Sequence, residues 1–406
     1  MADPKAPALT VEEASARICV DAALLGVETV ALTAAHGRVL AAPVIAKLTT
    51  PPFDGSAMDG YAVRSADLAT LPQTLKLIGE SAAGRGFRGP VGAGETVRIF
   101  TGAPLPGGAD TVVIQEDAAA DGAAIRITAW DGPKGNVRSR GFDFSKGATL
   151  LDAGRRIGAR ELTLAASAGH GSLAVARAPV VAIVATGDEL VPPGTPPGQD
   201  QIVCSNTYGL AAMVAAVGGR PDMLGIARDT IDDHNAHFDR AAGADILVTV
   251  GGASVGEHDL VQRTLLARGL DLSFWKIAMR PGKPLMYGRL GATRFLGLPG
   301  NPVSALVCGR LFVVPLIKRL LGDTSPSFEM ETARLGTALE ANGPRQHFMR
   351  ARLHTDSGGV SIATPVRSQD SSLLSPLAEA GCLIVRPIQA PAEAAGAAVS
   401  ILRFDF

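Results

Sequence analysis

The chain has 406 residues, with 38 Lys plus Arg against 39 Asp plus Glu and a formal net charge of −1. That balance excludes nucleic-acid binding through a global basic excess, and it excludes an acidic solvating tail. With 19% charged and 47% apolar residues the chain is not largely disordered, and roughly 100–200 residues per domain predicts two to four domains.

Aromatic residues are only 4%, too sparse for stacking successive bases. Cys19, Cys204, Cys308 and Cys382 form no C-x-x-C pair. Neither a disulfide framework nor a zinc ribbon is indicated, and scattered thiols suit a reducing cytoplasm. The N-terminus has no apolar signal segment. The longest greasy stretch, 306–321, is broken by Arg310, Pro315, Lys318 and Arg319, so no bilayer span is expected.

In chain order, residues 11–25 read as a helix, with Thr10 and Glu13 forming a capping box. A second helical patch lies at 160–168. Between them runs a Gly- and Pro-rich region with β-branched runs at 96–99, 111–114 and 125–128, which predicts a small β domain inserted into a helical one. From Pro179 strands alternate with helices. Apolar strands fall near 181–186, 223–226, 246–250 and 295–298, and helices near 206–217, 231–242, 261–267 and from Pro302 onward. That alternation predicts a parallel, doubly wound sheet over about 179–326, whose ligands bind beyond the carboxyl ends of the strands. After Pro326, short alternating strands near 332–335, 348–353, 360–364, 382–385 and 398–402 predict a small β-barrel or sandwich.

Four loops in the α/β region can carry chemistry. Thr186-Gly187-Asp188-Glu189 places two carboxylates at a strand end, which suits a hard cation or simply a helix start. Gly251-Gly252-Ala253-Ser254-Val255-Gly256-Glu257-His258-Asp259 combines close-approach glycines, a hydroxyl and acids, a pattern for phosphate binding or for a tight turn. Lys276, Arg280 and Lys283 lie within eight residues that contain no acid, suiting a dianion or an ordinary surface. In Pro299-Gly300-Asn301-Pro302, Asn301 suits an N-cap and Pro302 the first helical position. Outside this region, residues 51–62 are an irregular loop dense in acids and small residues.

Some patterns are decoys. Gly84–Gly89 matches G-x-G-x-x-G, but Pro90 follows and no helix opens. There is no P-loop and no G-x-S-x-G elbow. His234 and His237 read as surface histidines.

Taken together, PPFDGSAMDGYAVR (51–64), FTGAPLP (100–106), ATGDELV (185–191), VGGASVGEHD (250–259), WKIAMRPGKP (275–284) and GLPGNPVSA (297–305) resemble the molybdopterin molybdenumtransferase family, which includes bacterial MoeA and the E domain of gephyrin. The motifs occur in the family's order along essentially the whole chain. The resemblance implies an α/β multidomain protein in four parts: a helical and extended part (1–50 and 143–178), an inserted β-rich domain (51–142), a molybdopterin-binding α/β domain (179–326) and a C-terminal β domain (327–406).

It also implies an elongated homodimer with a cleft shared between subunits. The reaction implied is insertion of molybdate into adenylylated molybdopterin, with Mg²⁺-dependent release of AMP. Asp59, Asp188, Glu189, Lys276 and Lys283 would be catalytic. Asp188, Glu189, Asp229 and Asp259 would hold Mg²⁺. Thr101, Gly251, Gly252, Ser254, Gly256, Arg280, Pro299, Gly300, Asn301, Pro302, Ser304, Arg350 and Ser371 would bind substrate, with Asp59 and Thr101 supplied by the partner subunit.

The chain departs from the family pattern in three places. Arg228-Asp229-Thr230 has one acid where two are common, Phe142 stands where an acid is common, and Leu260 replaces a frequent aromatic. The alternative reading is a non-catalytic pterin-binding scaffold of the same fold, which would have no need of the carboxylates.

Overall fold

Thr10 accepts a hydrogen bond from the Glu13 backbone at 3.1 Å, while the Glu13 carboxylate accepts one from the Thr10 backbone at 2.8 Å. This reciprocal cap starts helix α1 (Val11–Cys19). The computed structural model of the chain describes residues 8–252 and 260–404. Helix α1 ends six residues earlier than the expected 25. Beyond it, the Asp21 and Ala22 carbonyls accept from Arg294 and Arg319, so the segment docks through its backbone onto the α/β domain instead of continuing as helix.

The insertion is legible in strand pairing. Val27–Ala31 runs antiparallel to Ser172–Ala176, and Val44–Ile45 pairs with Thr149–Leu151, so both flanks join in one unit. Helix α2 (Ala159–Ser167) packs there, with Leu40, Ile157, Ala165 and Val175 in the shared core. Between the flanks, residues of 60–127 build a six-stranded mixed sheet, and Thr50 and Phe144 pair where the insert leaves and returns.

The central sheet has six strands: β1 (Val180–Thr186), β2 (Arg220–Ala227), β3 (Ile246–Val250), β4 (Asp271–Lys276), β5 (Pro284–Leu290) and β6 (Thr293–Leu298). Their order is β2-β1-β3-β6-β5-β4. The first four are parallel to their neighbours, while β6-β5 and β5-β4 are antiparallel. The sheet is therefore mixed, not wholly parallel as expected. The β4–β5 hairpin was not foreseen because Pro281, Gly282 and Pro284 make the segment read as irregular. Yet Leu272 and Phe274 are buried between exposed Asp271 and Ser273, the alternation of an edge strand.

Helices α3 (Asn206–Ala216), α6 (Pro302–Cys308) and α7 (Val314–Leu320) cover one face of the sheet; α4 (Ile231–Arg240) and α5 (Leu260–Ala267) cover the other. Burial on both faces explains the apolar run in β1 and the largely apolar, fully buried β3.

The C-terminal strands Met330–Leu335, Gln346–Thr355, Ser361–Pro365, Cys382–Arg386 and Ala398–Arg403 close into a five-stranded barrel, because Gln346–Thr355 pairs with both Ser361–Pro365 and Cys382–Arg386. Small side chains such as Ala333, Ala351, Ala363 and Cys382 fill its narrow interior. Among the described residues the four cysteines are free, and no helix is long and apolar enough to cross a membrane.

Arg156 ties the insertion-flank unit to the α/β domain. It donates to the Gly37 and Val217 carbonyls and, at 2.7 Å, to Asp323, whose side chain is 0% exposed. Burial alone would raise the Asp323 pKa, but bonds from Ser325 and Arg156 outweigh it and hold it below the usual carboxylate range. A depressed folded-state pKa stabilises the fold above the unfolded value of about 3.9, and that contribution is lost as pH falls through the folded value. Arg156→Ala should therefore cost about 3 kcal/mol near neutral pH in chemical denaturation. The gap from the unmutated chain should narrow on acidification; a gap independent of pH would contradict the assignment.

Candidate active site

Strand β1 lies between β2 and β3, and the chain leaves β1 and β3 toward opposite sides of the order, so a crevice opens at their carboxyl ends. There the chain must turn sharply. Gly251 and Gly252 have φ of +101° and +60°, and a Cβ on Gly251 would stand 2.5 Å from the Thr186 carbonyl oxygen. Only glycine fits so close to the end of β1. The Gly251 N–H is already committed to the Leu298 carbonyl at 3.1 Å, so this residue provides close approach and not a donor.

Two adjoining cavities fill the crevice. One, of about 620 Å³, is lined by Thr186, Gly187, Glu189, Asp229, His234, Gly251, Gly252, Leu260, Val261, Pro284, Pro299, Gly300 and Asn301. The other, of about 470 Å³, shares Thr186, Glu189, Gly251, Gly300 and Asn301 and extends past Ser205, Asn206 and Pro302 to Ser372. Asn206 clasps the two halves by donating to the Gly300 carbonyl at 2.7 Å.

The acids group at one side. Asp188 Oδ1 accepts from the Asp229 backbone at 3.1 Å, and the Arg228 guanidinium binds the Asp188 and Leu190 carbonyls. Gly187, at φ +146°, has the Glu189 carboxylate folded over it: a Cβ there would meet Glu189 Oε2 at 2.3 Å. Among the described residues, no three His, Cys, Asp or Glu side chains gather as a metal site. Ser254, Gly256 and Asp259 lie outside the described residues.

The cationic segment sits at the sheet edge. Lys276 ends β4, with Nζ 6.0 Å from the Trp275 ring centre. Arg280 and Lys283 are exposed, while Pro284 reaches the larger cavity. Met279–Arg280 pairs in parallel with Gln346–His347 and so joins the hairpin to the barrel. Burial first, then the nearby Arg280, Arg345, Arg350 and Arg386, push His347 down to about 4.

Asn301 holds the N-cap position of α6 and Pro302 the first turn, but the Asn301 side chain does not cap the helix. It donates instead to Ser371 Oγ at 2.8 Å, and the Val303 backbone donates to the Ser371 carbonyl. Ser304 is buried in the same turn. Arg350 is 1% exposed, and its guanidinium donates to the Ser368, Asp370 and Leu373 carbonyls. Arg350 thus fixes the loop that presents Ser371, and its donors point into the protein.

In the inserted domain, Asp59 Oδ1 accepts from both the backbone and the hydroxyl of Thr101 at 2.8 Å. Asp59 and Thr101 do not line either cavity of their own chain. The expectation of surface histidines fails for His234, which is 0% exposed and lines the larger cavity. His234 and Phe238, four apart on α4, both face inward, a spacing that was available in the sequence. Thr186 was likewise passed over as a site residue.

The MoeA N-terminal region (domain I and II) matches residues 9–169, the probable molybdopterin binding domain 182–319, and the MoeA C-terminal region (domain IV) 332–404. The chain belongs to the molybdopterin molybdenumtransferase family. It is 37% identical to the molybdopterin molybdenumtransferase of Nostoc sp. over 89% of this chain and 85% of that one. It is 35% identical to the Haemophilus influenzae molybdopterin molybdenumtransferase, covering 92% and 93%. A crystal structure of the molybdopterin biosynthesis MoeA protein from Pyrococcus horikoshii superposes with a TM-score of 0.85 at 31% identity, covering 98% of this chain and 100% of that one. The family places the chain among the enzymes of molybdenum cofactor biosynthesis.

The Thr101 backbone and then its hydroxyl hold Asp59 below the usual carboxylate range. Thr101→Val removes the hydroxyl alone, so the Asp59 pKa should climb part of the way back in a carboxyl NMR titration. An unchanged value would remove the hydroxyl from the account.

Proposed function

We propose that the chain inserts molybdate into adenylylated molybdopterin, cleaving the phosphoric anhydride and releasing AMP. The observation that carries this reading is the crevice at the ends of β1 and β3, where Glu189 and Asp229 share one cavity wall with the close-approach glycines. The carboxylates favour an enzyme over a pterin-holding scaffold, which needs no negative charge beside a phosphate.

Mg²⁺ is the cation we assign. It typically takes one or two carboxylates, keeps several waters and completes its shell with substrate phosphate oxygens. An all-oxygen set of Asp188, Glu189 and Asp229 suits it without a preformed three-ligand cage, and Asp259 is a further candidate outside the described residues. When bound, Mg²⁺ neutralises charge on the pyrophosphate. The residues of the chain do the rest. Gly251 and Gly252 let ligand and backbone approach closely, while Pro299, Gly300 and the Asn301–Ser371 bond shape the opposite wall. Lys276, Arg280 and Lys283 attract molybdate and substrate phosphates, and Ser254 and Gly256, outside the described residues, are further candidates for binding substrate.

We assign Asp59 and Thr101 to the cleft of a partner subunit, which makes the active form a homodimer. A cytoplasmic location fits four unpaired thiols.

Asp188→Ala should still bind adenylylated molybdopterin but release AMP on the order of 100-fold more slowly, read by chromatography of AMP in the presence of Mg²⁺ and molybdate. Unmutated rates would remove the metal assignment. Mixing inactive Asp59→Ala and Asp188→Ala proteins, after subunit exchange, should restore about one quarter of full activity, because half the dimers are mixed and each carries one intact cleft. A mixture as inactive as its parts would overturn the shared cleft.

A further inference from the structure

Two buried side chains in the wall of the larger cavity have polar atoms without a hydrogen-bond partner among the described residues. His234 is 0% exposed, and neither ring nitrogen has a hydrogen-bond partner among the described residues. The Leu260 backbone bears on the ring electrostatically without meeting it in hydrogen-bond geometry. Thr186 is 4% exposed, and its hydroxyl is also unpartnered among the described residues. Both line the cavity that holds Glu189 and Asp229. Buried polar groups are ordinarily satisfied, and each exception calls for a partner from elsewhere. Here the cavity is where that partner comes from.

The chemistry of the wall narrows what it is. A neutral imidazole offers one acceptor nitrogen and one donor. Thr186 Oγ1 is a second acceptor, and the two carboxylates accept only. His234 and Thr186 each keep one donor as well, but with Glu189 and Asp229 in the same wall acceptors and negative charge predominate, which calls for a cationic partner rich in donors. A divalent ion that keeps its water shell is such a partner, since each metal-bound water offers two polarised O–H groups. The lack of three gathered ligand side chains among the described residues agrees, because a fully inner-sphere cage would need them.

We infer that His234 and Thr186 receive the water shell of the divalent cation, so that the ion is held here mainly through coordinated water. The inference rests on the Mg²⁺ reading above and adds how the ion is gripped and by which neutral groups.

Isothermal titration calorimetry on the full chain can test this with Mg²⁺ and with cobalt(III) hexaammine, an exchange-inert ion that can bind only through its outer N–H groups. The hexaammine ion should compete with Mg²⁺. His234→Leu and Thr186→Val should each weaken both ions about tenfold, while leaving the melting temperature equal or higher, since each removes an unsatisfied buried group. His234→Asn and Thr186→Ser should recover part of the affinity. In the unmutated protein with ¹⁵N-labelled histidine, the His234 ring signals should move on adding the diamagnetic hexaammine ion, a readout independent of any variant's folding. If Mg²⁺ binds and the hexaammine ion does not displace it, or if both variants bind Mg²⁺ within twofold of the unmutated chain, the inference is overturned while the Mg²⁺ assignment stands. If the unmutated chain binds neither ion, both are overturned.

Discussion

The placement of the site follows from one steric constraint: the backbone leaving β3 must pass within contact distance of the end of β1. Two consecutive residues with positive φ meet that demand, and both are glycine. The same approach exposes the carboxyl ends of both strands and brings the Thr186 hydroxyl beside Gly251 and Gly252. It also leaves Glu189 and Asp229 facing one space. The acids of the crevice are thus consequences of topology as much as of local sequence. A side chain added at Gly251 would collide with the backbone at the end of β1, and one at Gly252 with the Val261 side chain of α5, before either affected any ligand.

A second layer of organisation comes from cations that spend their donors on backbone carbonyls. Arg228 secures the Asp188 turn, Arg350 secures the loop bearing Ser371, and Arg156 bridges two units. Guanidinium groups suit this work because five fixed donors can satisfy several carbonyls at once. Each such arginine converts an irregular segment, which has no ladder of its own, into a rigid wall. Among the described residues, two of those with unsatisfied buried side-chain groups, Thr186 and His234, lie in the cavity.

Much of this was legible in the residues. The alternation of apolar strands and periodic helices between 180 and 320 marked the α/β domain, and the loops with chemical character fell at strand ends as the topology requires. The Thr10–Glu13 box marked the start of α1 to the residue. The β4–β5 hairpin was hidden because its proline-rich turn masks an antiparallel edge. His234 was misread as a surface residue because no third soft ligand stands near it in sequence, although its spacing from the apolar Phe238 already put both on one face of α4. Arg350, which the family resemblance implies as a substrate-binding residue, has its donors on the carbonyls of the loop that carries Ser371, an arrangement the sequence does not show. The partners of such a side chain depend on what the rest of the chain places opposite it.

The inserted β domain departs and returns at one point, where the Thr50 N–H donates to the Phe144 carbonyl at 2.9 Å. To the surrounding fold it is a bulge already pinched shut at its neck. The entropy of closing such a loop grows only slowly with the number of residues inside. The host can therefore tolerate wide variation in the size of this module, and changes acquired within it are free to tune what reaches a neighbouring molecule without retuning the scaffold from which it hangs.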